Sequence, residues 1–230
     1  SDRGWQGVTL YVGENLSGWK IQGRDAHVLA GTLLMDLITA TVENGLGGME
    51  LMAGIPGGVG GALRMNAGAF GQEIESVTVS VKGFLLDASP YEASRKEIDF
   101  AYRRVPSLED VVITSGRLHF HSENIAVLKK RMKDILALRA KKQPLAYPSC
   151  GSVFKRPPGY YAGALIEEAG LKGEKIGGAK VSEKHAGFIL NTGSAKASDV
   201  YALIRCIEDR VLQRFGVQLE REVKLIGEFE

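Results

Sequence analysis

The chain has 230 residues, 44% of them hydrophobic and 24% charged, with 29 basic against 27 acidic side chains and a net charge of +2. This composition suits a globular protein of one large or two small domains, and the absence of a basic excess argues against a nucleic-acid partner. Two cysteines, Cys150 and Cys206, are too few for a disulfide framework. No apolar run is long enough to cross a bilayer and no signal-peptide pattern opens the chain, so a cytoplasmic location without membrane contact is expected.

In chain order, Gly7 to Val12 reads as a short strand and Val28 to Ala30 as another. Thr32 to Asn44 reads as a helix, because Leu33, Leu34, Leu37, Ile38 and Val42 follow helical spacing and Gly45 suits the left-handed position after its end. Glu75 to Lys82 alternates, with Val77, Val79 and Val81 on one face, as in a half-buried strand. Val111–Thr114 and Arg117–His121 read as a pair of strands. Ser122 can cap a long helix through Ala140, with Ile125, Leu128, Met132 and Ile135 as its stripe.

A short helix from Ala162 to Ala169, a strand from Phe188 to Asn191 and a helix from Asp199 to Phe215, capped by Ser198 and ended by Gly216, follow. Residues 217–227 alternate as a last strand, with Arg221 breaking its apolar face. Strands and helices are mixed without strict βαβ order, which gives an α+β fold. A boundary falls near residue 143, with the last strand, 215–230, returning to the first domain.

Two stretches carry chemistry. Residues 54–71 read GIPGGVGGALRMNAGAFG, with seven glycines. Such a loop lets a ligand approach the backbone and find N–H donors, or lets backbones pack closely. It lacks the Lys of a Walker A loop and does not fit GxGxxG. The second stretch, YPSCGSVFKRPPGYYAG at 147–163, is too punctuated by proline and glycine for a helix or a central strand. By residue type alone, Ser152 there is a turn hydrogen-bonder, Cys150 a small filler, and His185 a structural histidine. The four scattered histidines and two cysteines form no metal-ligand pattern.

The glycine stretch resembles the flavin-binding loop of the UDP-N-acetylenolpyruvoylglucosamine reductase (MurB) family. FAYRR at 100–104, CGSVFKRP at 150–157, GALIEEAGLKG at 163–173, GGAKVSEKHAGFILN at 177–191 and FGVQLEREVKLIG at 215–227 resemble the same family in order and spacing. The short path from Arg103 to Ser152 is similar to its type II branch. The resemblance implies a partial FAD-binding domain of the PCMH/VAO-like kind over 1–143, joined by 215–230, and a smaller α+β domain for a UDP-sugar over 144–214.

It also implies an NADPH-dependent flavoenzyme of peptidoglycan precursor synthesis that makes UDP-N-acetylmuramate. Arg103 would meet the substrate carboxylate, Ser152 would donate the proton, and Glu222 would help to stabilise the enol. Gly54, Ile55, Pro56, Gly57, Gly58, Gly60, Gly61, Asn66, Ala67 and Gly68 would hold FAD, and Lys155 and Tyr147 would contact the UDP-sugar. Family members begin with a further N-terminal segment that holds the FAD pyrophosphate. A partner segment of that kind, and exposed apolar surface where it would pack, are therefore expected. The alternatives are a flavin-free chain that only binds UDP-sugar and another FAD-dependent oxidoreductase of the superfamily.

Overall fold

The computed structural model describes residues 1–229. They form two compact units, Leu10–Arg139 and Ser1–Thr9 with Ala140 onward. The larger unit contains β1 (Trp19–Gln22), β2 (Asp25–Leu29), α1 (Leu34–Glu43), β3 (Leu46–Gly47), α2 (Val59–Arg64), β4 (Gly68–Ala69), β5 (Gln72–Glu73), β6 (Thr78–Leu85), β7 (Pro90–Ser94), β8 (Val111–His119), β9 (His121–Ser122) and most of α3 (Ile125–Lys142). Its main sheet is antiparallel in the order β1-β2-β8-β6-β7. Ala26, Val28, Val81 and Leu118 from one sheet face join Leu34, Leu37, Ile38 and Val42 of α1 in the core.

Several expected elements change in detail. Leu33 leaves the apolar stripe of α1: it is the extended residue before the helix, pairs with Gly58 and is exposed. The alternation of 75–82 breaks because a bulge between Thr78 and Ser80 buries Thr78 and leaves Val79 half-exposed. The pair of strands expected at 111–121 is one strand, β8, through His119, while His121 belongs to β9. Gly116, between the two expected strands, lies under α2: a Cβ there would stand 3.0 Å from Leu63 Cδ1. The cap of α3 is Asn124, whose Oδ1 accepts from the N–H of Ala126 at 2.8 Å, while Ser122 pairs in β9. Residues 7–12 form no strand; Val8, Leu10 and Tyr11 are exposed, and their alternation has no ladder partner among the described residues.

The smaller unit contains β10 (Ser149–Ser152), α4 (Ala162–Glu168), β11 (Lys175–Ile176), β12 (Ala179–Val181), β13 (Phe188–Asn191) and α5 (Ala197–Phe215). Its antiparallel sheet runs β10-β13-β12-β11, so β10 is an edge strand. Leu203, Ile204, Ile207 and Val211 turn the apolar face of α5 into a core with Val153, Phe154, Ile166 and Ile189. Ser198 lies inside α5; its first N–H groups are met by Asp2, whose carboxylate accepts from Ala197 and Ser198 at 2.6 and 2.9 Å.

The closing segment differs from the sequence-based expectation. Residues 217–227 form no strand and do not return to the larger unit. Leu219 is buried in the core of the smaller unit, with Val217 and Val223 partly buried against it. The alternating residues are satisfied by packing there rather than by a ladder: Arg221 makes a single bridge, to Phe154.

Candidate active site

In the larger unit a cavity of about 740 Å3 is lined by the β4–β5 hairpin and by Glu75, Arg95, Tyr102 and Arg103, among others. Phe70 (φ 53°) and Arg103 (φ 55°) in this lining, and Asn66 (φ 43°) just before it in the chain, hold left-handed backbone. Such strain persists only where the surroundings over-determine the conformation, and it gathers at functional sites. At Arg103 the surroundings are visible. Its Nη2 donates to the carbonyl of Gly68 at 2.6 Å, its Nη1 to the carbonyl of Asn66 at 3.4 Å, and Glu73 Oε1 stands 3.5 Å away. Arg104 turns to the surface and pairs with Glu109.

Asn66 is fully buried. Its Nδ2 reaches Glu73 at 3.1 Å and Glu75 and the carbonyl of Ala101 at 3.2 Å, and its Oδ1 accepts from the N–H of Glu75. The side chain thus ties the hairpin to the turn that carries Arg103. The sequence places Asn66 among cofactor contacts; in the structure its side chain is committed inside the wall. Arg95 pairs with Glu75 and lies 4.9 Å over Phe100. Sequence reasoning passed over Glu73, Glu75 and Arg95, for which it offered no signal.

The glycine loop has two kinds of position. Gly57 O accepts from Leu34 N, and Thr32 O and Ala30 O accept from Val59 N and Gly60 N, which clips the loop to the end of β2 and the start of α1. A Cβ at Gly58 would stand 2.9 Å from Ala30 O and one at Gly60 2.8 Å from Ala30 Cβ, so close packing requires both glycines. Gly57 and Gly61 are exposed, with open space where a Cβ would stand. Ile55 and Ala67 are half-buried, Pro56 is exposed, and Gly68 begins the cavity wall.

Beneath Gly54 lies Arg139 of α3, a residue the sequence reading missed. A Cβ at Gly54 would meet its Cδ at 2.9 Å, and its guanidinium is 5.5 Å from the Phe70 ring. Arg139 is 9% exposed, and its Nε has no hydrogen-bond partner among the described residues. Burial pulls its pKa down, yet a guanidinium stays charged. A buried cation with an orphaned donor calls for an acceptor that the protein does not supply. The signal was present in the sequence: Arg139 continues the stripe Leu128, Met132, Ile135 at helical spacing.

In the smaller unit the opening of the 147–163 stretch becomes β10. Ser149 pairs with Leu190 and Ser152 with Phe188, so Cys150 and Gly151 together oppose Ile189. This is a bulge, and Gly151 supplies its left-handed backbone at φ 79°. Ser152 is exposed at the end of the bulged edge strand. The segment after it is stitched to the closing segment: Lys155 N donates to Glu220 O at 2.8 Å, Phe154 bridges Arg221, and Glu222 N donates to Val153 O at 2.8 Å. The backbone thereby brings Ser152 and Glu222 to neighbouring positions. Arg103 belongs to the other unit.

Lys155 is largely buried and holds Glu220 at 2.5 Å; Tyr147 is exposed. Cys150 lies at the surface, yet the atoms packed around its thiol raise its pKa. His185 accepts from Gly187 N through Nδ1 at 3.1 Å and packs edge-on against Phe188, which makes it a structural residue. Among the described residues no cluster of three His, Cys, Asp or Glu could hold a metal, and no helix is long and apolar enough to cross a membrane.

Comparison with known proteins gives one answer along the whole chain. Residues 143–226 match the family model of the UDP-N-acetylenolpyruvoylglucosamine reductase C-terminal domain. The chain is 41% identical to the UDP-N-acetylenolpyruvoylglucosamine reductase of Syntrophomonas wolfei over 99% of its own length and 76% of that protein, and 44% identical to that of Pediococcus pentosaceus over the same shares. The crystal structure of the Thermus caldophilus reductase superposes with a TM-score of 0.75 at 34% identity, covering 94% of this chain and 75% of that one.

Proposed function

The chain belongs to the UDP-N-acetylenolpyruvoylglucosamine reductase family and is an oxidoreductase of peptidoglycan precursor synthesis; on that premise we propose that Arg103, Ser152 and Glu222 carry its reaction in the cytoplasm, with FAD and NADPH as redox partners. The family's reaction converts the enolpyruvyl ether of a UDP-sugar into the lactyl ether of UDP-N-acetylmuramate. FAD held at the glycine loop and Arg139, with NADPH as reductant, would supply the hydride for this reduction.

The chain's own residues deal with the charge and the proton. Arg103 pairs with the substrate carboxylate through its planar fork and holds the negative charge that develops there. Ser152 donates a proton to the neighbouring carbon: a hydroxyl is a weak acid, but an enolate is a strong enough base to take its proton. Glu222 helps to stabilise the enol. Lys155, freed from Glu220, and Tyr147 contact the nucleotide sugar.

The reading is supported chiefly by Arg103, a guanidinium fixed by a strained backbone at the wall of a cavity large enough for a ligand. The residues around the glycine loop fit a flavin. Gly57 and Gly61 leave their backbone open, and the orphaned Nε of Arg139 offers a donor to an electronegative edge. Incubating the chain with FAD, removing the unbound portion and recording the visible spectrum tests this assignment. A flavin band that shifts with the UDP-sugar is expected; a colourless protein would overturn the cofactor assignment.

A further inference from the structure

Arg221 is an anomaly in the sequence, a cation on the apolar face of an alternating segment. The structure accounts for it. Its Nε and Nη2 grip both carboxylate oxygens of Glu208 on α5, at 2.5 and 2.6 Å, with the two side chains 26% and 18% exposed. Two turns earlier on the same helix, the Tyr201 ring lies 5.4 Å from the guanidinium. A two-point carboxylate–guanidinium pair fixes direction as well as distance. It joins the other anchors of its segment, Leu219 in the core and Glu220 on Lys155. Residues 219–223 make one bridge and a few backbone bonds to 153–155, and no ladder.

Glu222 is the next residue. Its N–H is bonded to Val153, the residue after Ser152. A clamp on Arg221 therefore sets where Glu222 stands along the Ser152 segment. We infer that Glu208 is a positioning residue for Glu222: by holding Arg221 against α5, it fixes Glu222 beside the proton donor. This rests on the roles given to Ser152 and Glu222 above. A salt bridge that merely stabilised the fold would be replaceable at the cost of melting temperature alone.

The test uses the full chain loaded with FAD and compares Glu208→Gln, Arg221→Lys, the swap Glu208→Arg with Arg221→Glu, and Glu222→Gln as reference. One readout is hydrogen exchange at the Glu222 amide; the other is the rate of UDP-sugar reduction beside the rate at which NADPH reduces the bound flavin. Glu208→Gln is expected to speed exchange at Glu222 by about tenfold while α5 stays protected, and to slow UDP-sugar reduction by about tenfold to a hundredfold. Flavin reduction by NADPH should not change. Arg221→Lys keeps the charge but not the fork, disturbs the fold least, and should show a milder form of the same split. The swap should recover part of the loss.

If exchange and UDP-sugar reduction in Glu208→Gln and Arg221→Lys stay within about twofold of the parent while Glu222→Gln is impaired, the positioning role is wrong and the catalytic reading stands. If Glu222→Gln itself reduces substrate at the parental rate, the catalytic reading fails and takes this inference with it.

Discussion

The Nη2 of Arg103 donates to the carbonyl oxygen of Gly68 across 2.6 Å, which joins the guanidinium to the backbone of the β4–β5 hairpin. The hairpin's own shape depends on left-handed residues at 66 and 70. The direction of Arg103 is therefore set by the hairpin. Arg103→Lys keeps the charge and loses the fork, and an ammonium cannot hold the hairpin and a carboxylate in the same two-point geometry. Turnover should fall by about 100-fold or more, while the melting temperature changes little; steady-state rates beside a thermal melt would show it.

Asn66→Ala should act on stability and turnover together. It removes a fully buried amide whose partners are the Ala101 carbonyl, the Glu75 N–H and the partly exposed carboxylates of Glu73 and Glu75, at a cost of about 1–3 kcal/mol for each backbone group left unsatisfied. Urea unfolding is expected to lose at least that much. A variant as stable as the parent would mean that water replaces the amide.

Gly61→Ala should separate folding from binding. The position lies in the first turn of α2 with open space for a methyl group, so alanine should stabilise the fold by about 0.5–1 kcal/mol. If that space belongs to the flavin, FAD affinity should fall at the same time. A rise in melting temperature with FAD retention unchanged would assign the glycine to folding alone.

Ser152→Ala should leave the reduction of bound flavin by NADPH at its parental rate and slow the reduction of UDP-sugar by about 100-fold or more. Stopped-flow measurement of the two halves separates them. Normal rates in both would remove Ser152 from the mechanism.

His185 should make stability depend on pH. Burial lowers its pKa, and its Nδ1 accepts a hydrogen bond from Gly187, which requires that nitrogen to lack a proton. The native state therefore takes up the proton at lower pH than the unfolded state does. The stabilisation is complete above the unfolded pKa of about 6.5 and is lost as the pH falls from there toward the folded value. His185→Gln should flatten the stability profile across that window, read as the denaturation midpoint against pH.

The parts of the fold that were legible were those whose residues act locally. The stripe of α1 and the left-handed Gly45 after it (φ 68°) mark the helix correctly, because spacing and cap are short-range. The two strands read at 111–114 and 117–121 misled for a long-range reason: Gly116, in the gap between them, is where α2 touches the sheet. The closing segment misled in the same way. Alternation shows that Leu219 and Val223 face something, but not which core receives them. At the site, Arg103, Ser152 and Glu222 came from the family's motifs, whereas Glu73, Glu75 and Glu208 act through partners distant in sequence. Arg139 was within reach, as a charge on a buried stripe.

Gly116, at mid-sheet in β8, is where Leu63 of α2 comes close to the backbone. One end of α2 leads back into the Gly57–Gly58 turn, and the other leads into Asn66. A methyl group at position 116 would stand 3.0 Å from Leu63 Cδ1, so Leu63 would have to yield by a few tenths of an ångström, and whatever part of that shift its side chain does not absorb would pass to α2, between the glycine loop and Asn66.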